Sequence, residues 1–195
     1  VGLATAELFE GSAEYSDWFQ THGSKYSRSH HLPHEEGGLS LLWSFKEDSI
    51  HLVIIARAQG WLGVGFSENG GMLGADMMIY EQGNVLDMYV TDDFVPQLDD
   101  CQSWTLVDAQ QGDELLIVEV TRLLDTQDTQ DRALVEDGDY DIPISRVIGT
   151  WGDQATHAYH AQRVVRGSVR WHALPELVEE EVHVPRELDT HAQGS

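Results

Sequence analysis

Residues able to do chemistry fall into three groups here: a methionine set among glycines, scattered histidines, and a surplus of carboxylates. Met72 follows Gly70-Gly71 and stands two residues before Gly74. A thioether beside residues without side chains is either a gap-filling core group or a soft metal ligand with room in front of it, and the local sequence leaves both open. His30, His31 and His34 bring three imidazoles close together. Pro33 interrupts helical spacing there and no cysteine joins the set, so a solvated cluster is the plainer reading than a zinc or copper site. Asp and Glu number 34 against 11 Lys and Arg, a formal charge of −23. That charge repels phosphate backbones and anionic lipid surfaces, which argues against nucleic acid as a partner and is otherwise read as solubility. The lone Cys101 rules out an intrachain disulfide framework and is either a packed small hydrophobe or half of a bridge to something outside this sequence.

Strands are what the pattern supplies to position these groups. Gly60 to Tyr80 reads as two strands hinged on the Gly70-Gly71 turn, with Trp61, Val64 and Phe66 interleaved with glycines that suit close backbone approach. Upstream, Leu39, Leu41, Trp43 and Phe45 alternate with polar residues as a half-buried strand, and Ile50 to Ala56 follows as its hairpin partner. Asn84 to Thr91, Trp104 to Val107, Leu115 to Val120 and the closing Arg166 to Trp171 continue the series. Short strands with polar turns at intervals of about eight to twelve residues point to an all-β, immunoglobulin-like sandwich of about nine to eleven strands. Trp43, Phe45, Val53, Ile55, Phe66, Ile117 and Val147 are its expected core residues. The stretch from Ser27 to Gly37 reads as a loop, residues 1–37 as an N-terminal segment packed on the domain, 38–174 as the sandwich, and 175–195 as an acidic linker or tail. A length of 195 residues with 41% hydrophobic content supports one domain. No apolar run is long enough to span a bilayer as a helix. The opening Val1-Gly2-Leu3, without methionine or leader, reads as a mature or excised sequence.

Several blocks taken together resemble the DOMON domain: Gly60-Trp61-Leu62-Gly63-Val64-Gly65-Phe66-Ser67, then Gly74-Ala75-Asp76, then Asp92 with Pro96 to Asp99. Arg122-Leu123-Leu124-Asp125-Thr126 with Asp128 and Asp131 follows, and Trp151-Gly152, Tyr159-His160 and Arg166-Gly167 close the set. The Arg-Leu-Leu-Asp-Thr block and the Tyr-His before Arg-Gly are similar to the branch found in dopamine β-hydroxylase-like copper monooxygenases. Val182 to Thr190 is similar to the segment that leads into their catalytic domains, and none of the copper-binding histidine motifs follows. One departure is Gln127, where animal members carry a cysteine.

The resemblance implies a β-sandwich, an extracellular or secretory-lumen setting, and an electron-transfer or accessory role rather than catalysis by this chain itself. Heme-binding members hold a b-type heme between a methionine in a Gly-Met-x-Gly pattern and a histidine. Gly71-Met72-Leu73-Gly74 matches that pattern, which makes Met72 and His160 the expected axial ligands, with His157 as the rival. Attachment would be noncovalent, because no Cys-x-x-Cys-His occurs. Some members also bind a cation through an aspartate after the turn together with main-chain carbonyls. Asp76 occupies that place, which makes calcium a second expected cofactor. The second acidic ligand expected before the following strand is replaced by Ser103, with Asp99 and Asp100 close by. A redox partner domain, such as a copper monooxygenase, is the implied partner. The alternative is a domain that binds no heme and positions a monooxygenase or binds a small ligand or cation.

Overall fold

The alternation of apolar residues along the chain is resolved by two antiparallel sheets that share one core. A computed structural model describes residue 9 and residues 11–91, 93–134, 144–158 and 163–170. The first sheet joins β1 (Arg28–Leu32), β2 (Leu39–Lys46), β3 (Ser49–Ala56), β9 (Leu116–Leu123) and β8 (Thr105–Gln111), in that spatial order. The second joins β11 (Val164–Arg170), β10 (Ile144–Gly152), β4 (Trp61–Ser67), β5 (Asp76–Glu81), β6 (Asn84–Val90) and β7 (Pro96–Leu98). Eleven strands among the described residues, in two facing sheets, agree with the sandwich expected from the sequence.

Between the sheets lie Leu41, Trp43, Ile54, Leu62, Val64, Phe66, Met78, Val118, Val147 and Trp151, all buried. Trp43, Phe66 and Val147 therefore sit where expected. Phe45 is only half-buried, because β2 runs out of the sandwich at its polar end. Val53, Ile55 and Ile117 are also buried, but on the opposite face of the first sheet, under a helix that the polar N-terminal sequence did not announce. This helix, α1 (Ala13–His22), is capped by Ser12, whose Oγ accepts the Tyr15 N–H. Tyr15 and Trp18 press on Leu42, Val53 and Ile55, and burying each such side chain stabilises the fold by roughly 1.5–3 kcal/mol. Glu14 on its first turn accepts backbone N–H groups of Asp113, Glu114 and Leu115 at 2.6, 3.0 and 3.0 Å, fastening α1 to the β8–β9 turn.

The loop expected over residues 27–37 is corrected: Arg28–Leu32 is an edge strand paired with β2, Arg28 opposite Trp43 and Leu32 opposite Leu39. Its side chains are mostly polar because it forms the rim of its sheet, with only Leu32 entering the core.

Candidate functional site

β5 divides its side chains between two environments, since alternate residues of a strand face opposite sides of a sheet. Asp76 lies opposite Phe66 and Met78 opposite Val64, so both face the core seam. Met77 and Ile79 face outward, joining Trp61, Ala75, Met88 and Val90 in a second apolar cluster on the far side of the sheet, with Met72 packed against it.

The turn between β4 and β5 fixes Met72. Ser67 Oγ accepts the Gly70 N–H at 2.9 Å and Asn69 Oδ1 accepts the Gly71 N–H at 2.7 Å. Gly70 takes φ of 77°, a left-handed conformation that glycine adopts without strain. Beyond Met72, the Ala75 N–H donates to the Met72 carbonyl at 2.9 Å, and Gly74 and Ala75 exchange hydrogen bonds with Val90 at the end of β6. Met72 thus sits on a turn tied to two strands.

Met72 lines a cavity of about 650 Å³ on this outer face. Its floor is Trp61, Met77 and Ile79, with Thr150 and Arg166 contributed by β10 and β11. Phe94, Val95 and Pro96 form one rim, and His157 with Ala158 forms another. Gly63 and Gly65 lie in the same sheet face. A methyl group at Gly65 would come within 2.8 Å of Ile148 Cγ2 and 3.1 Å of Met77 Cγ, so the absence of a side chain there sets how deep the floor lies. The His157 ring Nδ1 lies 2.8 Å from Glu81 Oε2, the same oxygen that accepts the His157 backbone N–H. A carboxylate at Nδ1 fixes the tautomer and leaves Nε2 as the ring's available nitrogen. The ring also meets Trp61 edge to face, with centroids 6.4 Å apart. His160 lies outside the described residues. Before its segment, Ala158 lies on the cavity rim, and after it Val164 pairs in register with Thr150.

On the inner face, Asp76 meets a different chemistry. Arg122 reaches across from β9 to place Nη1 2.8 Å from Asp76 Oδ2, both side chains fully buried. The guanidinium lies over the Trp104 ring, 4.6 Å from its centroid, and donates through Nη2 to the Arg132 carbonyl at 2.6 Å. The Arg132 N–H donates to the same Asp76 oxygen at 2.8 Å. Asp87 and Asp131 complete the group: one ligand-capable oxygen from each of Asp76, Asp87 and Asp131 lies within 4.8 Å of the others. Burial pushes the Asp87 carboxyl up to about 7 against the lowering effect of the Ser103 N–H, and the neighbouring Asp131 and Asp76 push the same way.

The sequence missed Glu81, which reads as a turn residue, and Arg122 as the partner of Asp76. Asp87 and Asp131 were also missed as companions of Asp76, although an acid at an inward position of a strand was a signal in the alternation of β6. Asp99, expected near the cation site, instead accepts the Cys101 N–H at 3.0 Å, and Cys101 is exposed rather than packed in the core. The histidine triplet is dispersed: His31 Nδ1 lies 2.7 Å from Ser40 Oγ, and His34 meets the edge of Trp151.

Comparison with known proteins settles the family. The family model for the DOMON domain matches residues 35–145. The chain belongs to the DOMON family. It is 32% identical over 143 residues to MOXD1 homolog 2 of Drosophila melanogaster, a match covering 70% of this chain and 17% of that protein, so the chain spans only a small part of that relative's length. Among solved structures it is similar to the cytochrome domain of Myriococcum thermophilum cellobiose dehydrogenase, with a TM-score of 0.50 and 10% identity over 73% of this chain and 81% of that one. At that identity the likeness is one of fold.

Proposed function

We propose that this DOMON domain is a noncovalent heme b module that passes single electrons to or from a partner, with Met72 and His160 as the axial ligands. The observation that carries the reading is the outer-face cavity, which has Met72 and its glycine turn on its wall and His157 with Ala158, the last described residues before His160, on its rim. Its volume lies in the range of small-molecule and cofactor sites. The residues present fit the group. Trp61, Met77, Ile79, Phe94, Val95 and Pro96 offer the apolar walls a porphyrin needs, and Arg166 offers a cation to its carboxylates. The likeness to a cytochrome domain of the same fold agrees with this reading.

When bound, heme supplies one-electron chemistry tuned by its axial ligands. Met72 would supply the soft ligand, held by the hydrogen bonds that brace its turn. Ligation by both Met72 and His160 would leave the iron no open position, which suits electron transfer better than oxygen activation. The apolar walls would pack against the group's faces, and Arg166 at the edge would orient it through its carboxylates. A second reading has its own observation: His157 is on the cavity wall and its Nδ1 is held by Glu81, the arrangement that metal-ligating histidines favour. The partner is taken to be an oxidoreductase domain of the copper monooxygenase class in an extracellular or secretory setting, in line with the likeness to MOXD1 homolog 2.

Absorption spectra of the chain loaded with hemin test this. A low-spin six-coordinate spectrum in both oxidation states is expected, abolished by Met72→Ala and by His160→Ala and retained by His157→Ala. Loss in His157→Ala with retention in His160→Ala transfers the role to His157. A chain that stays colourless after hemin titration sinks the heme reading in favour of a domain that positions a monooxygenase without carrying a redox group.

A further inference from the structure

We propose that the free edge of β8 docks an extended, lysine- or arginine-bearing segment of a partner protein as an added strand, and that the groove between α1 and the β8–β9 turn receives its cationic side chains. The inference does not depend on the heme reading, since β8 belongs to the other sheet. β8 ends that sheet and pairs with β9 alone. Among the described residues, no group bonds the main chain of Thr105–Gln111 from its outer side. A row of unpaired N–H and C=O groups along a seven-residue strand is a template for one more strand.

The other sheet edges are guarded. β7 is three residues long and starts at Pro96, which has no N–H to offer. β1 and β11 turn towards each other at the opposite corner, where Leu32 lies so close against Gly167 that no side chain fits there. β8 has neither proline nor lysine, and its one departure from regular pairing is the bulge between Leu106 and Asp108, with Val107 48% exposed.

Charge names the occupant. Ile117 lies on the α1 face of its sheet, so Glu119, two residues on, shares that face, and their partners Gln110 and Asp108 present the same face of β8. Beside them runs a groove of about 520 Å³ between α1 and the β8–β9 turn, with Asp17, Trp18, Gln110, Asp113, Leu115 and Ile117 in its lining. No lysine or arginine lines it, and its one imidazole, His22, stacks on Trp18. Glu14 is already held by three N–H groups of the turn. Asp17, Asp108 and Asp113 are in no ion pair among the described residues. A strand added about 4.8 Å beyond β8 sets alternate side chains along this row of carboxylates. A lysine or arginine there lays its stem over Ile117 and Trp18 and brings its head to Asp17 or Asp113. A second copy of this chain fits poorly, because its own edge would bring another Asp108 and a formal charge of −23 against the same carboxylates.

The test is fluorescence anisotropy and amide hydrogen exchange of the whole chain with three labelled peptides as long as β8. One alternates lysine with threonine, one has glutamate in place of the lysines, and one keeps the lysines but has proline in place of the threonines. The lysine–threonine peptide should bind and slow exchange across Thr105–Gln111, and the other two should bind about tenfold more weakly or worse. Asp17→Asn combined with Asp113→Asn should weaken the lysine–threonine peptide roughly threefold, more at low salt than at high. Asp108→Lys, which places a guard on the edge, should weaken it about tenfold. All three positions are exposed, so the variants should fold as wild type does. Absence of binding at millimolar peptide overturns the proposal, as does binding that leaves exchange in β8 unchanged. Equal binding by the proline peptide reduces the effect to charge attraction, and equal binding by the glutamate peptide removes the preference for a basic segment; either result overturns it. A dimer that protects β8 without any peptide gives the edge to a second copy and overturns it as well.

Discussion

One register step along β5 separates two environments with little in common. Met77 and Ile79 face an open, apolar cavity whose ligand-capable groups come from turns and loops. Asp76 faces a closed, charged seam whose groups come from β6, β9 and the segment after β9. The outer face sits on a sheet already held by the inter-sheet core, so its side chains can be chosen for a ligand at small cost to folding. The inner face is part of what holds the sheets together, and every charge there needs a partner. Function that needs replaceable, soft contacts is therefore expected outside, and electrostatic fastening inside.

Breaking the inner face should have the largest effect. Arg122→Ala removes the partner of a buried carboxylate, the cover of Trp104 and a hydrogen bond to the segment after β9. A loss of about 3–5 kcal/mol in urea denaturation is expected, and a loss below about 1 kcal/mol would show that the inner charges are not what joins the sheets there. Overfilling the outer face should cost less. Gly65→Ala presses on the Ile148 Cγ2 methyl and on Met77 Cγ, for about 1–3 kcal/mol by the same measurement, and it should weaken hemin binding because Met77 is cavity floor. An unchanged hemin affinity would mean that the floor does not touch the ligand.

Met72→Leu separates packing from ligation. Similar volume on a half-buried turn predicts a stability change within about 1.5 kcal/mol, while the low-spin spectrum of the hemin-loaded chain should disappear. A variant that keeps the spectrum removes Met72 from the iron. Smallest of all should be Arg132→Ala, whose guanidinium is partly exposed and bonds the Gly74 carbonyl at 3.2–3.3 Å and Glu68 at 3.1 Å. A cost of about 0–1 kcal/mol is expected, because the tether to Asp76 uses the backbone N–H that alanine retains. A larger loss would show that the two faces are coupled through the Gly74 turn.

What could be read in advance follows from which interactions are local. Leu39 to Phe45 and Ile50 to Ala56 announced a hairpin because alternation and a tight polar turn are local signals, and the pairing found is Leu39 with Ala56 through Lys46 with Ser49. The Gly60 to Tyr80 pair was legible for the same reason. Helix α1 was not, since its apolar residues Tyr15 and Trp18 are sparse and the helix depends on the sheet beneath it. β1 was read as a loop because an edge strand with one buried residue carries almost no alternation.

The sequence by itself determined the sandwich, the family and the candidacy of Met72, because strand periodicity and short ordered motifs are written in neighbouring residues. It also identified Asp76 as an acid in a special place. Only the tertiary structure decided that Met72 and Asp76, four positions apart, serve opposite faces of one sheet, and that His157 is held by Glu81. It alone found the companions of Asp76 in Arg122, Asp87 and Asp131. The physical reason is that a lone carboxylate in a strand and a lone arginine in another look like ordinary solvated charges until the packing of two sheets removes the water from both.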